Sequence, residues 1–458
     1  MPNSKTVTNV AEGAVKSTIE SRANKFSNAR TRRRNKAEKR FRLMGVIAVS
    51  ISILALVGLL SSILSNGLSS FNQTFLSVNV YLDPAKLDKS GELDIEKIKK
   101  VSTFGYKPLL QNGIMQTLVD AGIEPEGVTP KQAAIMISES APSILRNAVL
   151  ADTSLIGKTV EFEFFTNGRI DGYFKGQLNP DDVAKGRIKN HTPEMLNLAD
   201  KMVEMGLMET RFNWKFLTNP DASVKRPESA GLGVALLGSL YMMLVVLFLA
   251  LPIGVAASIY LEEFAPQNKL TDLIEVNISN LAAVPSIVFG ILGLALFIRT
   301  FGLPNSAPIV GGLVLTLMTL PTIIIATRAS LKAVPGSIRD AALGVGASKM
   351  QTIFHHTLPL AMPGILTGAI IGLAQALGET APLLLVGLVA FVKEYPSLPV
   401  DGFFEPAAAL PVQVYNWTQR SDPAFVERAS GAIIVLLVFL VIMNLIAVIL
   451  RRRFERRW

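Results

Sequence analysis

Glu379 lies near the middle of the apolar run Ile365–Phe391. An ionised carboxylate in hydrocarbon is expensive, so it needs a cation partner, a proton or a gating task. Gln375 precedes it by one helical turn on the same face, and Thr380 follows it. Pro382 removes a backbone donor three residues on and loosens the helix there. The alternative reading is a structural polar contact inside a helix bundle. Arg328, at the end of another apolar run, is a candidate cation for Glu379, or else a snorkelling anchor at the membrane edge.

A second stretch offers recognition rather than bond chemistry. Pro335-Gly336 breaks a helix, and Ser337 with Asp340 forms a Ser-x-x-Asp helix start. Ala341, Ala342, Gly344, Gly346 and Ala347 keep the next surface thin, so another backbone can approach closely. Met350, Ile353, Phe354 and Thr357 then recur at helical spacing up to His356, Leu358 and Pro359, where that helix should end. Two short helices at an angle make a docking knob. The alternative is an ordinary connector, but the loop 328–364 is longer than a connector needs.

Other chemistries find little support. The chain has no cysteine, which excludes disulfides, thiolate metal sites and cysteine nucleophiles. Three histidines, two of them adjacent, leave little scope for a metal site. Gly344-Val-Gly-Ala-Ser-Lys349 lacks the Gly-x4-Gly-Lys-Ser/Thr order of a nucleotide loop, and no strand leads into it. No cofactor is expected. Glu161 and Glu163 share a face of the alternating run Thr159–Phe165 and read as the wet side of a half-buried strand.

The elements that must carry these residues are membrane spans. Half of the 458 residues are hydrophobic, gathered in runs of about 20, the length that crosses a bilayer. The runs are Leu43–Leu64, Gly231–Leu261, Ile274–Phe297, Ala307–Thr327, Ile365–Phe391 and Ser430–Leu450. The sequence thus reads as an all-α polytopic membrane protein of six transmembrane helices. An α+β extracytoplasmic insertion, residues 65–229, lies between the first and second spans, and a five-helix core occupies 230–450.

In the insertion, Asp94–Val101, Lys131–Leu150 and Pro193–Met205 read as helices, with Thr129-Pro130 and Thr192-Pro193 as start signals. Asn167-Gly168 reads as a turn, pairing Thr159–Phe165 with Gly172-Tyr-Phe-Lys in a hairpin.

The net charge of +9 is concentrated at the ends. Residues 1–42 hold 12 Lys and Arg against 3 acids, and residues 451–458 hold five Arg against one Glu. Basic segments beside spans set orientation and touch anionic lipid, and no aromatic interleaving argues for nucleic acid. Six spans place both basic termini and the loop 328–364 on the cytoplasmic side. One loop dissents: 262–273 belongs on that side, yet it carries Glu262, Glu263 and Asp272 against Lys269.

The run Asp340-Ala-Ala, Gly346, Leu358-Pro359 resembles the Glu-Ala-Ala-x3-Gly-x9-Ile-x-Leu-Pro loop of binding-protein-dependent ABC permeases, with Asp for Glu and His356 where Ile usually stands. Together with Ala283-Val-Pro-Ser-Ile-Val-Phe-Gly290 and Leu377-Gly-Glu-Thr-Ala-Pro-Leu383, it resembles phosphate-importer permeases of the PstA type, in the version with an extended N-terminal region. The resemblance covers roughly residues 230–450. Many such permeases carry Arg four residues before the Glu, where this chain has Gln375.

The resemblance implies a type I importer permease in a bacterial inner membrane. Its loop would fit a cleft on an ATP-hydrolysing subunit, and its spans would form half of a path for inorganic phosphate. It also implies a second permease subunit, a pair of ATP-binding subunits and an extracytoplasmic phosphate-binding protein. Another oxyanion or small solute as cargo stays open, as does a membrane sensor or scaffold.

Overall fold

The computed structural model describes residues 29–87, 95–389, 391–396 and 398–454. Most of the basic tail, the helix start expected at Asp94 and the last four residues lie outside these.

The first apolar run forms one helix, α1 (Ala29–Gly67), with nearly all its large apolar side chains exposed. A helix apolar all round suits hydrocarbon.

The insertion is built on a three-stranded antiparallel sheet of order β2-β1-β3. Its central strand β1 (Asn72–Tyr81) pairs with β2 (Thr159–Phe165) and β3 (Met208–Phe212). Leu76, Val78 and Val80 of β1 pack on Tyr106 and Ile114 of α2 (Thr103–Asp120), on Phe164, and on Met195.

The helix expected over Lys131–Leu150 is two, α3 (Pro130–Ile135) and α4 (Ala141–Ala151). Between them Ile137 bridges Thr166, and the Ser138 N–H donates to the Phe165 carbonyl at 2.9 Å, so sheet pairing outcompetes helix. Thr129 caps α3 reciprocally with Gln132. Thr192 makes no such bond at α6 (Pro193–Glu204).

The expected hairpin does not form. The Asn167 side chain accepts from the Arg169 N–H and caps a helix, α5 (Gly168–Phe174). A residue type that favours turns favours N-caps for the same reason.

Beyond the insertion run α7 (Gly233–Phe264), α8 (Lys269–Ala282), α9 (Ser286–Thr300), α10 (Pro308–Lys332), α11 (Gly336–Gly344), α12 (Lys349–Gly378), α13 (Ala381–Leu385), α14 (Leu410–Thr418) and α15 (Pro423–Phe454). Among the described residues, five helices are long and apolar enough to cross a bilayer, and the pair α8–α9 makes a sixth if taken as one span.

That pair covers the run Ile274–Phe297, expected as the third span, and it bends by 100°. Pro285 has an extended ψ of 135° at the break, and a proline also disfavours helix in the residue before it. The permease core packs Met242, Met243 and Val246 of α7 against Val310 and Val314 of α10, with Phe289 and Leu383.

The insertion is fastened to the start of α15 by buried charge. Lys175 bridges Asp171 at 2.6 Å and Glu427 at 3.0 Å. Arg428 is 2% exposed and donates to the Gln73 side chain and to the Glu228 carbonyl. Ser138 donates to the Glu228 carboxylate, which burial pushes up to about 7.

Candidate functional site

Two regions carry the residues singled out by the sequence, and the structure keeps them apart. At the first, the chain leaves α10, forms α11 and turns at Gly346 (φ +92°) into α12. Pro335 occupies the N-cap of α11, so Ser337 and Asp340 lie within the helix, exposed, and form no capping box. The reciprocal box appears instead one turn of chain later, between Ser348 and Gln351.

Nor does a helix end at Leu358-Pro359. A single π-helical turn, Ile353–Thr357, carries α12 through without interruption. Pro359 sits in the first turn of the following α-helical segment Leu358–Gly378. The missing i→i−4 bonds of the proline are absorbed by the wider turn before it.

The exposed surface of this region is apolar. Leu343, Val345, Met350 and Phe354 all face outward, with Val345 86% exposed. His356 and Ala341 are exposed as well, while Ala342 is buried. Beneath them, Ile259, Leu331, Val334, Ile353, Ala361 and Ile365 form a separate small core, with Ile338 of α11 against it. A thin helix on a firm base with apolar side chains turned outward makes a candidate docking surface.

The base is also ionic. Arg339 of α11 places two nitrogens on the Glu263 carboxylate, at 3.1 and 2.7 Å, and donates to the carbonyls of Val334 and Leu331. Arg328 reaches Glu262 at 3.3 Å and Glu275 at 2.5 Å, and Lys332 reaches Glu262 at 3.5 Å. Lys349 lies 5.1 Å from the Phe264 ring centre. Two of the acids that broke the charge rule, Glu262 and Glu263, therefore serve as partners for the cations of the neighbouring loop. The sequence marked Glu262 and Glu263 only as acids where bases were due, and it gave no role to Glu275 or Arg339.

The second region is a pair of broken helices. α12 stops at Gly378, Glu379 is extended (ψ 134°), and α13 begins at Ala381. Pro382 explains the stop, since it has no N–H for the carbonyl of residue 378 and its ring crowds that carbonyl. Glu379 is therefore at a helix break, half-buried, and not mid-helix as expected. Gln375, exposed in the last turn of α12, does not share a continuous helical face with it. Thr380 is half-buried beside it.

Opposite stands the other break. A Cβ on Gly290 of α9 would lie 2.7 Å from the Pro382 Cα, so glycine is what lets the two backbones meet. The Val284-Pro285 and Glu379–Pro382 motifs, nearly 100 residues apart in the chain, thus belong to one packed unit.

Arg328 is not Glu379's partner, because its guanidinium is engaged by Glu262 and Glu275. Glu379 has no ion pair among the described residues. Thr316 and Thr319 donate back to their own helix, at 2.7 and 2.9 Å, and Asn277 does likewise at 2.7 Å.

In the insertion, a cavity of about 540 Å³ is lined by Glu124, Glu126, Glu194 and Lys201. Three acids against one lysine make it a poor receptor for an anion.

Residues 234–458 match the family described as binding-protein-dependent transport system inner membrane component, and residues 28–184 match a domain of unknown function, DUF3333. The chain is 32% identical over 250 residues to the probable ABC transporter permease protein YqgI of Bacillus subtilis, covering 52% of this chain and 83% of that one. It is 34% identical over 233 residues to the phosphate transport system permease protein PstA 1 of Mycobacterium tuberculosis, covering 50% and 74%. A chain of the inward-facing MetNI methionine ABC transporter overlaps 49% of this chain and 97% of its own, at 17% identity and a TM-score of 0.40.

The matched region holds the exposed apolar surface, the ionic base and both helix breaks, and with relatives matched over most of their length the chain belongs to the family of binding-protein-dependent transport system inner membrane components.

Proposed function

We propose that this chain is the permease subunit of an ATP-driven importer and forms half of the transmembrane path for inorganic phosphate. The observation that carries the coupling half of this reading is the apolar surface of Leu343, Val345, Met350 and Phe354, held on a base of its own. The cargo rests on relatives named as phosphate permeases, such as PstA of Mycobacterium leprae, 34% identical over 252 residues.

The subunit is not itself an enzyme. ATP is hydrolysed in a partner that receives the segment Ser337–Pro359, with Asp340, Ala341, Ala342, Gly346, His356 and Leu358 at the contact. A pair of such ATPases, a second permease chain and an extracytoplasmic binding protein complete the assembly. Both basic termini face the cytoplasm, and the insertion faces the other side, where it meets the binding protein or the partner permease.

Glu379, with Gln375 and Thr380, sits at the break and gates the path. Since Arg328 is occupied, the cation for Glu379 comes from the second permease chain. A carboxylate alone would repel phosphate, whereas one that pairs and unpairs can open and close a route to it.

Uptake of labelled phosphate, sulfate and molybdate in cells with and without this chain tests the assignment. Phosphate uptake should fall on deletion while the other two persist. Loss of sulfate or molybdate uptake instead would reassign the cargo. Unchanged uptake of all three, in a strain without a redundant importer, would remove the transport reading.

A further inference from the structure

Arg339 lies in the docking helix, but it faces the permease and not the docking surface. Four of its donor contacts are made inward. Two go to Glu263, in the closing π-helical turn of α7, and two go to the carbonyls of Leu331 and Val334 at the end of α10. The last carbonyls of a helix lack internal partners and carry partial negative charge, so a guanidinium there satisfies hydrogen bonds and favours the helix dipole. Glu263 is 9% exposed and Arg339 23%, which spares the pair much of the screening that weakens surface ion pairs. Arg328 repeats the pattern one turn deeper, joining α10 to Glu262 of α7 and to Glu275 of α8.

We propose that Arg339 and Glu263 are positioning residues of the coupling step: they lock the docking helix to the ends of α7 and α10, so that a push on that helix reaches the spans and, through Arg328 and Glu275, the bent pair α8–α9. The proposal rests on the importer reading above. The geometry distinguishes this lock from a docking contact, because the guanidinium is directed away from the exposed apolar surface. It also distinguishes the lock from a simple surface pair, because one side chain spans three elements.

The test uses the complete transporter in proteoliposomes, with Glu263→Gln, Arg339→Gln and the double variant. Phosphate taken up per ATP hydrolysed should fall about fivefold or more in Arg339→Gln, with binding-protein-stimulated hydrolysis retained. The double variant should be no worse than Arg339→Gln alone, since one removed partner already breaks the lock. A purely structural role would lower the amount of assembled transporter and leave the ratio unchanged. An unchanged ratio, or losses that simply add, overturns the proposal.

A second readout does not depend on the cargo. The chain has no cysteine, so spin labels can be placed through Gly336→Cys, at the start of α11 outside the docking segment, and Tyr260→Cys, both at exposed positions. The label distance should stay single and constant between nucleotide-free and ATP-trapped states, and should broaden in Arg339→Gln. A distance that already changes between states in the unsubstituted background overturns the lock. If the unsubstituted transporter moves no phosphate, the cargo assignment fails while the distance measurement still decides the lock.

Discussion

Glu379 shows how much a single residue depends on its backbone. Read as a mid-helix carboxylate, it needed a cation partner, a proton or a gating task. At the end of a helix beside a proline, it occupies a joint instead. Glu379→Gln keeps the shape and removes the charge. Transport assays on this variant should show impaired phosphate uptake with normal assembly, and normal uptake would remove Glu379 from the gate.

Gly346 is a joint of a different kind. Its φ of +92° suits glycine, and a β-branched side chain there costs about 1–2 kcal/mol. Nothing lies within 4 Å of a Cβ at this position, so the strain stays local. Gly346→Val should leave the protein folded in the membrane and abolish coupled uptake. ATP-driven uptake at the normal rate would show that this surface does not dock as proposed.

Glu228 carries a pH dependence. Its carboxyl binds a proton more tightly folded than unfolded, because burial lifts it from 4.5 to about 7. The stability it contributes is complete below about 4.5 and is lost as pH rises through about 7. Thermal midpoints of the detergent-solubilised protein should therefore fall between pH 5 and pH 8 more steeply than those of Glu228→Gln. Parallel curves would mean that the folded protein holds this carboxyl no differently from the unfolded chain.

Among elements, the two broken helices depend on each other. Each break comes from a proline that cannot continue the hydrogen-bond ladder, and each would expose backbone groups in a membrane unless protein covers them. The close approach at Gly290 supplies that cover. Gly290→Ala should lower the thermal midpoint and Gly290→Leu more so, since overpacking a tight contact costs about 1–3 kcal/mol and here the obstacle is backbone. If the two variants melt with the unsubstituted protein, α9 and α13 do not pack as closely as described.

The segment Ser337–Pro359 is the complementary case. Its small residues were legible, but its helix boundaries were not. Ser337-x-x-Asp340 looked like a helix start, yet Pro335 had already set one, and Leu358-Pro359 looked like a stop that one π-helical turn carried across.

For the whole molecule, the charge distribution fixes an expected orientation that labelling can check. Cysteines introduced as Lys185→Cys in the insertion, Val345→Cys in the docking segment and Ser17→Cys in the tail provide reporters in a chain without native ones. An impermeant maleimide added to intact cells should label position 185 alone. Labelling at 345 or 17 would invert the topology.

By itself, the sequence determined that the chain spans a membrane, that an α+β region interrupts its spans, and which segment between the spans is rich in small residues. These follow from composition, from the length of apolar runs and from the spacing of small residues, all of which act locally. Tertiary structure decided the partners. It paired β2 with β1 and not with a hairpin neighbour, and it bent the pair α8–α9 through 100° at Pro285. It seated Gly290 on Pro382, and it gave Arg328 and Arg339 to the acids of 262–275 and not to Glu379. A charge or a strand edge is satisfied by whichever group packing brings within reach, and sequence distance carries almost no information about which group that is.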